Sequence, residues 1–456
     1  MCLALNKGVI VSDDPRALIA DAPMHYRQIA AIAVLTACTA AEGFDVYAIA
    51  FASPEIAKAW GIDRAILGIT LSMDLVGMGI GALLLGWIAD RIGRRPVILA
   101  CLCLMASGMW LASIANDVTT LSAIRLFTGL GVGGLLATGS ALAAEFANIR
   151  SRSLAITLMI GGYSVGAIAG GTLASTLLAR TDRWQAVFEA GALATGALIV
   201  PALLFVPESI DFLCQRQPRG ALFRINRILK RLALPPIDRL PDKREGRSGV
   251  APLFERRMIG TTFALTLSFF MYMVTLYFLT KWIPKLVADM GHPVSSAGNI
   301  LVWTNVGGLT GTIAISLLTR VCNVRYLVVG ALVCGAAAVV IFGRISAELL
   351  GLGIVATTAG FCIIGANSGF YSIVAQSFPS QLRAGGTGFV IGVGRAGSAV
   401  GPIAAGLLFE AGWSLGAVSA LMACGCVVAA LSVSRVRTLA AAPTASRIET
   451  TAPSLN

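Results

Sequence analysis

The chain has 456 residues, 56% of them hydrophobic and 13% charged, against about 25% charged in an average soluble domain, and this excludes an ordinary soluble globular protein. Its net charge of +12 is expected in loops on one side of a membrane, where anionic lipid headgroups attract it; no nucleic-acid platform of interleaved basic and aromatic residues occurs. The closest of the cysteines, Cys101 with Cys103 and Cys424 with Cys426, lack metal-type partners, and the two histidines, His25 and His292, fall near expected helix ends, so no metal site, cofactor or histidine-based catalytic triad is expected.

Residues 1–27 are polar and mixed in charge, unlike a cleavable signal peptide, and read as a cytoplasmic N-terminal segment. Apolar runs of about 20 residues are long enough to cross the hydrocarbon layer as helices. They predict spans near 28–52, 65–89, 96–115, 119–143, 153–178 and 184–206, forming a first bundle over 28–206. A polar stretch, 207–256, reads as a cytoplasmic linker with a short amphipathic helix around Leu222 to Leu232. Further spans are expected near 257–281, 295–318, 324–343, 347–378, 384–408 and 412–436, a second bundle over 257–436, followed by a disordered tail over 437–456. The basic residues Arg150, Arg152, Arg320, Arg325, Arg383, Arg435 and Arg437 fall on the linker's side, which the positive-inside rule makes cytoplasmic, with both termini there.

Faint internal symmetry accompanies this layout. Gly162, Gly166 and Gly170 of the fifth span match Gly397 and Gly401 of the eleventh, and Gly308 and Gly311 leading to Arg320 echo the second span and its loop. Two runs, Gly129 to Gly134 and Gly392 to Gly397, satisfy a dinucleotide fingerprint. Neither lies in a strand-turn-helix unit with an acidic residue downstream, so both read as helix-packing glycines.

Ionisable groups within the bilayer are costly and are functional candidates. Glu42 and Asp45 are three residues apart and share a helical face. Burial and mutual repulsion favour a proton on one of them, with Asp45 expected deeper and better suited to proton coupling. Alternatively, Glu42 is interfacial and Asp45 merely pairs with an arginine. Arg125 stands about four residues inside the expected lipid boundary and could snorkel to the surface. Arg395 lies about 18 Å along its helix from Arg383. It must face a carboxylate, a water-filled cavity or an anionic substrate, whose carboxylate its forked donors fit; a cavity with substrate is expected.

The loop between the second and third spans, Gly86-Trp87-Ile88-Ala89-Asp90-Arg91-Ile92-Gly93-Arg94-Arg95, has the spacing G-x-x-x-D-R-x-G-R-R and resembles the corresponding loop of the major facilitator superfamily. That resemblance implies an all-α membrane protein, with twelve transmembrane helices in two pseudo-symmetric six-helix bundles and a midplane site between them. It implies gating roles for Asp90, Arg91, Arg94 and Arg95, whose charge pairs close the cytoplasmic side. Glu145 with Arg152 fits the pattern after the fourth span of related sugar carriers, and Pro207-Glu208-Ser209 that after the sixth; both are assigned to gating.

A narrower resemblance, to the aromatic acid/proton symporters, rests on three patterns. These are Glu42-Gly43-Phe44-Asp45 with Pro54, then Phe269-Phe270-Met271-Tyr272 followed by Tyr277, Trp282 and Pro284, and Arg383-Ala384 with Thr387-Gly388 running into Gly392-Val393-Gly394-Arg395. It implies import of a benzoate-like or phenolic carboxylate together with a proton, and importance for the first-span acids, Arg125, Glu145, Arg383 and Arg395. Glu42 departs from the family's usual Asp by one methylene. Candidate substrate contacts are Arg395, Arg125, Tyr47, Tyr272, Tyr277, Tyr371, Asn305 and Asn367; Phe44, Phe270, Trp303 and Phe370 could stack on a ring.

The expectation is therefore a non-enzymatic, proton-coupled symporter in the cell inner membrane, working as a monomer by alternating access. Asp45 with Glu42 exchanges the proton and Arg395 grips the substrate carboxylate. A proton-driven exporter of drugs in the same fold is the first rival, although Gly162-x-x-x-Gly166-Ala167 lacks the Gly-Pro step that resembles the antiporter motif. A membrane sensor of aromatic acids is the second. A membrane enzyme lacks any catalytic constellation to build on.

Overall fold

The structure, a computed structural model, describes residues 14–242, 251–256, 258–319, 321–345, 348–379 and 382–436. Arg257 and Arg320, part of the N-terminal segment (1–13), linker residues 243–250 and the tail (437–456) lie outside them. Among the described residues the twelve spans are Tyr26–Trp60, Arg64–Ile92, Arg94–Ser113, Val118–Phe146, Arg152–Thr181, Gln185–Phe205, Ile259–Asp289, Val294–Leu318, Val324–Phe342, Leu349–Ser377, Gly385–Glu410 and Leu415–Arg435.

Local chemistry fixes their ends. His25 begins the first span with a capping box: its ring accepts from the Arg27 amide while Gln28 Oε1 accepts from the His25 amide at 2.7 Å. Asp63, Asp117, Asn323 and Ser414 cap later spans through their side chains, satisfying amide donors that have no partner within the helix. The first span runs eight residues past its expected end, through Pro54 to Trp60, and the seventh runs past Pro284 to Asp289. Proline is tolerated inside a membrane helix when neighbouring groups satisfy the freed carbonyl; Ser53 Oγ donates to the Ala50 carbonyl at 2.8 Å. The stop is instead Gly61, whose φ of 60° ends the helix in a left-handed cap. The eleventh span, expected as one piece, is one span over Gly385–Glu410, with a turn at Arg395 that keeps helical φ and ψ of −61° and −22° between the helices Arg383–Gly394 and Ala396–Glu410.

Packing repeats with a shift of six spans. The first span packs on the fifth as the seventh packs on the eleventh; the second packs on the fourth as the eighth packs on the tenth; the third packs on the sixth as the ninth packs on the twelfth. Small residues permit this closeness: a Cβ on Gly166 would collide with the Ala40 carbonyl, and one on Gly397 with the Phe270 carbonyl. Outward-facing Leu83, Leu193 and Leu204 are 75%, 71% and 68% exposed, an apolar belt that water would not tolerate and lipid does. The linker helix Ala221–Arg231 buries Ala221, Ile225, Ile228 and Leu229 and exposes Arg224, Arg227, Lys230 and Arg231.

The two halves meet on the face opposite the linker. There Arg64 donates to Asp289 at 3.0 Å and, through its amide, to Glu410 at 3.3 Å. Ser72 Oγ donates to the Ala399 carbonyl at 2.9 Å. The distal part of the eleventh span, Ala396–Glu410, packs on the second span as well as on the seventh, whereas the part nearer the linker packs on the seventh and tenth spans of its own half. The chain is thus closed on the face away from the linker.

Candidate functional site

Four ionisable side chains form a buried cluster where the first, second, fourth and seventh spans meet. Arg125 Nη1 donates to Asp45 Oδ1 at 2.7 Å, and Nη2 to the Asp45 carbonyl at 2.8 Å and to Asp74 Oδ2 at 3.2 Å. Lys281 Nζ, from the other half, donates to the same Asp74 oxygen at 2.7 Å and to the Val46 carbonyl at 2.6 Å. All four side chains are at most 1% exposed, so Arg125 does not snorkel. Two carboxylates and two cations balance, as burial requires. Asp74 and Lys281 escaped sequence reading.

Glu42 stands apart from this cluster. It is 1% exposed, both carboxylate oxygens lack a hydrogen-bond partner among the described residues, and it lies within electrostatic reach of Arg395 and Asp45. The first-span acids therefore share a helical face yet answer to different cations: Asp45 to Arg125, Glu42 to Arg395. The Arg395 guanidinium donates to the Tyr371 hydroxyl at 3.3 Å and touches Met78 Sδ of the opposite half at 4.0 Å. Around them gather phenols. Tyr47 meets Tyr163 edge-on at 6.1 Å, and Tyr163 interacts with Tyr277. Tyr163 was not foreseen, since a tyrosine in a glycine-rich span carries no distinctive pattern.

Other candidates separate from this centre. Tyr272 is fully buried within its own half and donates to the Ile363 carbonyl at 3.0 Å, packed against Phe370 at 4.8 Å. Asn305 donates to the Leu301 carbonyl of its own helix at 2.9 Å, whereas the buried Oδ1 of Asn367 has no hydrogen-bond partner among the described residues. Trp303 is 55% exposed on the outer surface. Phe44 packs against Gly170.

The residues assigned to gating lie on the linker side. Arg94 is ion-paired with Glu145, which accepts from Ser209 Oγ at 2.6 Å. The amides of Arg94 and Arg95 donate to Glu208 at 2.8 and 3.2 Å, and the Arg95 side chain donates to the Leu203 carbonyl at 2.7 Å. Arg216 donates to the Asp90 carbonyl at 2.9 Å, Arg91 stacks on Trp87 at 3.3 Å, and Arg152 donates to the Ala144 carbonyl at 3.1 Å. These contacts stay within the first half and its linker. Arg383 is exposed at the start of the eleventh span. Among the described residues no group of histidine, cysteine, aspartate and glutamate could hold a metal.

The family model of the Major Facilitator Superfamily matches residues 35–380. The chain belongs to that superfamily. Within it, similar proteins include the gallate transporter of Pseudomonas putida, 32% identical over 86% of this chain and 88% of that protein. The 4-hydroxybenzoate transporter PcaK of Pseudomonas aeruginosa is 31% identical over 82% and 84%, and the 3-(3-hydroxy-phenyl)propionate transporter of Escherichia coli 29% identical over 86% and 90%. Among solved structures, the inward open conformation of the xylose transporter XylE from E. coli superposes with a TM-score of 0.67 at 16% identity, covering 90% of this chain and 96% of that one. As a member of the superfamily the chain has the fold of transporters, not of enzymes, and its buried charges lie where the two halves of such a fold meet.

Proposed function

We propose that the protein imports an aromatic carboxylate, benzoate-like or phenolic, together with a proton, by alternating access. The observation that carries this reading is Glu42, a buried carboxylate with no hydrogen-bond partner among the described residues, within electrostatic reach of Arg395, whose guanidinium donates to the Tyr371 hydroxyl. An unpaired charge in such a place is expensive, so Glu42 and Arg395 neutralise each other when the site is empty. A substrate carboxylate on Arg395 removes that compensation, and Glu42 then takes a proton. Empty and loaded sites are both neutral, and a neutral site reorients at the least desolvation cost.

The relatives' substrates supply the ring: gallate, 4-hydroxybenzoate and hydroxyphenylpropionate are all aromatic acids. Tyr47, Tyr277 and Tyr371, with Asn367 and its spare acceptor, are the groups to which ring and hydroxyls are assigned. Asp45 and Arg125 hold the first, second and fourth spans together and act on the site indirectly. Arg94 with Glu145, joined by Asp90, Arg91, Arg95, Arg152 and Arg383, gates the linker side. That side is cytoplasmic, since the basic linker and loops lie there, in the inner membrane, with the monomer as the working unit. Uptake of labelled 4-hydroxybenzoate into proteoliposomes tests the reading. It should rise with an inward proton gradient, and uptake indifferent to that gradient contradicts symport.

A further inference from the structure

Lys281 is a fully buried cation that, among the described residues, binds no group of its own half. Both of its hydrogen-bond acceptors, Asp74 Oδ2 at 2.7 Å and the Val46 carbonyl at 2.6 Å, belong to the other half. It stands on the seventh span two turns before Asp289, which ion-pairs with Arg64 at the outer rim of the same closed face. Opening this face requires the two halves to part, and the rim pair is partly exposed, with Arg64 at 43% and Asp289 at 26%, so water can replace it at little cost. Lys281 has no such substitute. Pulled from Asp74, it leaves the first half with Asp45, Asp74 and Arg125, one negative charge in excess, and carries one positive charge away.

We propose that the Lys281 bond to Asp74 and to the Val46 carbonyl is the latch that holds the face opposite the linker closed, and that Lys281 is a positioning residue for alternation between the two facing states. Arg125 serves the latch by orienting its catch: it donates to the same Asp74 oxygen and is anchored by Asp45. Arg395, touching Met78 one turn along the second span from Asp74, places the substrate-binding region next to the catch. The inference rests on alternating access but not on the identity of the substrate or on proton coupling, and its test reads a distance between halves rather than uptake.

Spin labels on Ile66 of the second span and Ala411 after the eleventh, both exposed on the closed face, report that distance in full-length protein in which Cys2 and the exposed Cys103, Cys322, Cys334 and Cys424 are replaced by serine. Wild type should show mainly the short distance. Lys281→Gln and Asp74→Asn should each raise the long-distance population at least ~10-fold, the scale on which minor states become visible. Each single variant leaves a buried charge uncompensated and can fail to accumulate. The double variant Lys281→Gln/Asp74→Asn keeps the cluster neutral and should open as the single variants do. A short distance at wild-type population in every folded variant, the double included, overturns the latch. Failure of labelled 4-hydroxybenzoate uptake to respond to a proton gradient, with the distance shift intact, overturns the functional reading and leaves the latch standing.

Discussion

Two charged groups within the spans occupy neighbouring depths of the same membrane protein and are built on different plans. In the cluster of Asp45, Asp74, Arg125 and Lys281 every residue has at least one partner of opposite sign within 3.2 Å. Around Glu42 and Arg395 the carboxylate has no hydrogen bond among the described residues, and the guanidinium directs one donor to a phenol and one to a sulfur. The first arrangement is what structure demands of buried charge. The first leaves only single atoms without a hydrogen bond among the described residues, Asp45 Oδ2, Asp74 Oδ1 and Arg125 Nε, whereas the second leaves a whole carboxylate free, the larger reserve that a site for a travelling anion and a proton demands. Geometry, more than residue type, separates scaffold from site here, since both groups consist of carboxylates and cations within spans.

The comparison breaks most visibly at Arg125. Arg125→Ala strips Asp45 and Asp74 of a shared cation and should cost about 3–5 kcal/mol, seen as loss of membrane-inserted protein and a lowered thermal midpoint. Normal accumulation would move Arg125 from scaffold to site. Arg395→Lys should instead leave insertion and thermal midpoint near wild type while weakening aromatic-acid binding at least ~10-fold, because a lysine cannot present the paired donors of a guanidinium; unchanged affinity by equilibrium binding would make Arg395 structural. Smaller still is Tyr272→Phe, which removes one buried hydrogen bond to the Ile363 carbonyl. It should cost about 0.6 kcal/mol in stability, the average for such bonds in membranes, with the KM for uptake unchanged. A raised KM would place Tyr272 in the site. Smallest is Trp303→Ala, on the outer surface, for which initial uptake rates should equal wild type.

The spans were legible because each is a long apolar run with polar punctuation, and the superfamily was legible in the loop from Gly86 to Arg95. The repeat was visible in its glycines, and the close approaches at Gly166 and Gly397 give the spacing its physical reason. Span ends were less so. Pro54 and Pro284 look like stops in a sequence, yet both helices run past them, Ser53 covering the carbonyl freed at Pro54, and they end at or just before glycines with positive φ, Gly61 and Gly291.

That misplaced end also hid Lys281, which at the terminus of a helix ending at 281 looks like a solvated side chain. Asp74 hid differently. A lone carboxylate in an apolar run states that it needs a cation but not which one, and its partners come from the fourth and seventh spans, 51 and 207 residues away. The spacing of Glu42 and Asp45 placed them on one face, while their division between Arg395 and Arg125 depends on how the two halves are set against each other.

The central claim is that loading the anion on Arg395 puts a proton on Glu42, and proton uptake on binding reads it most directly. In weakly buffered solution, purified wild-type protein should take up about one proton for each 4-hydroxybenzoate bound, and Glu42→Gln, still able to bind, should take up none. Binding by wild type with no proton uptake, or undiminished uptake in Glu42→Gln, contradicts the account.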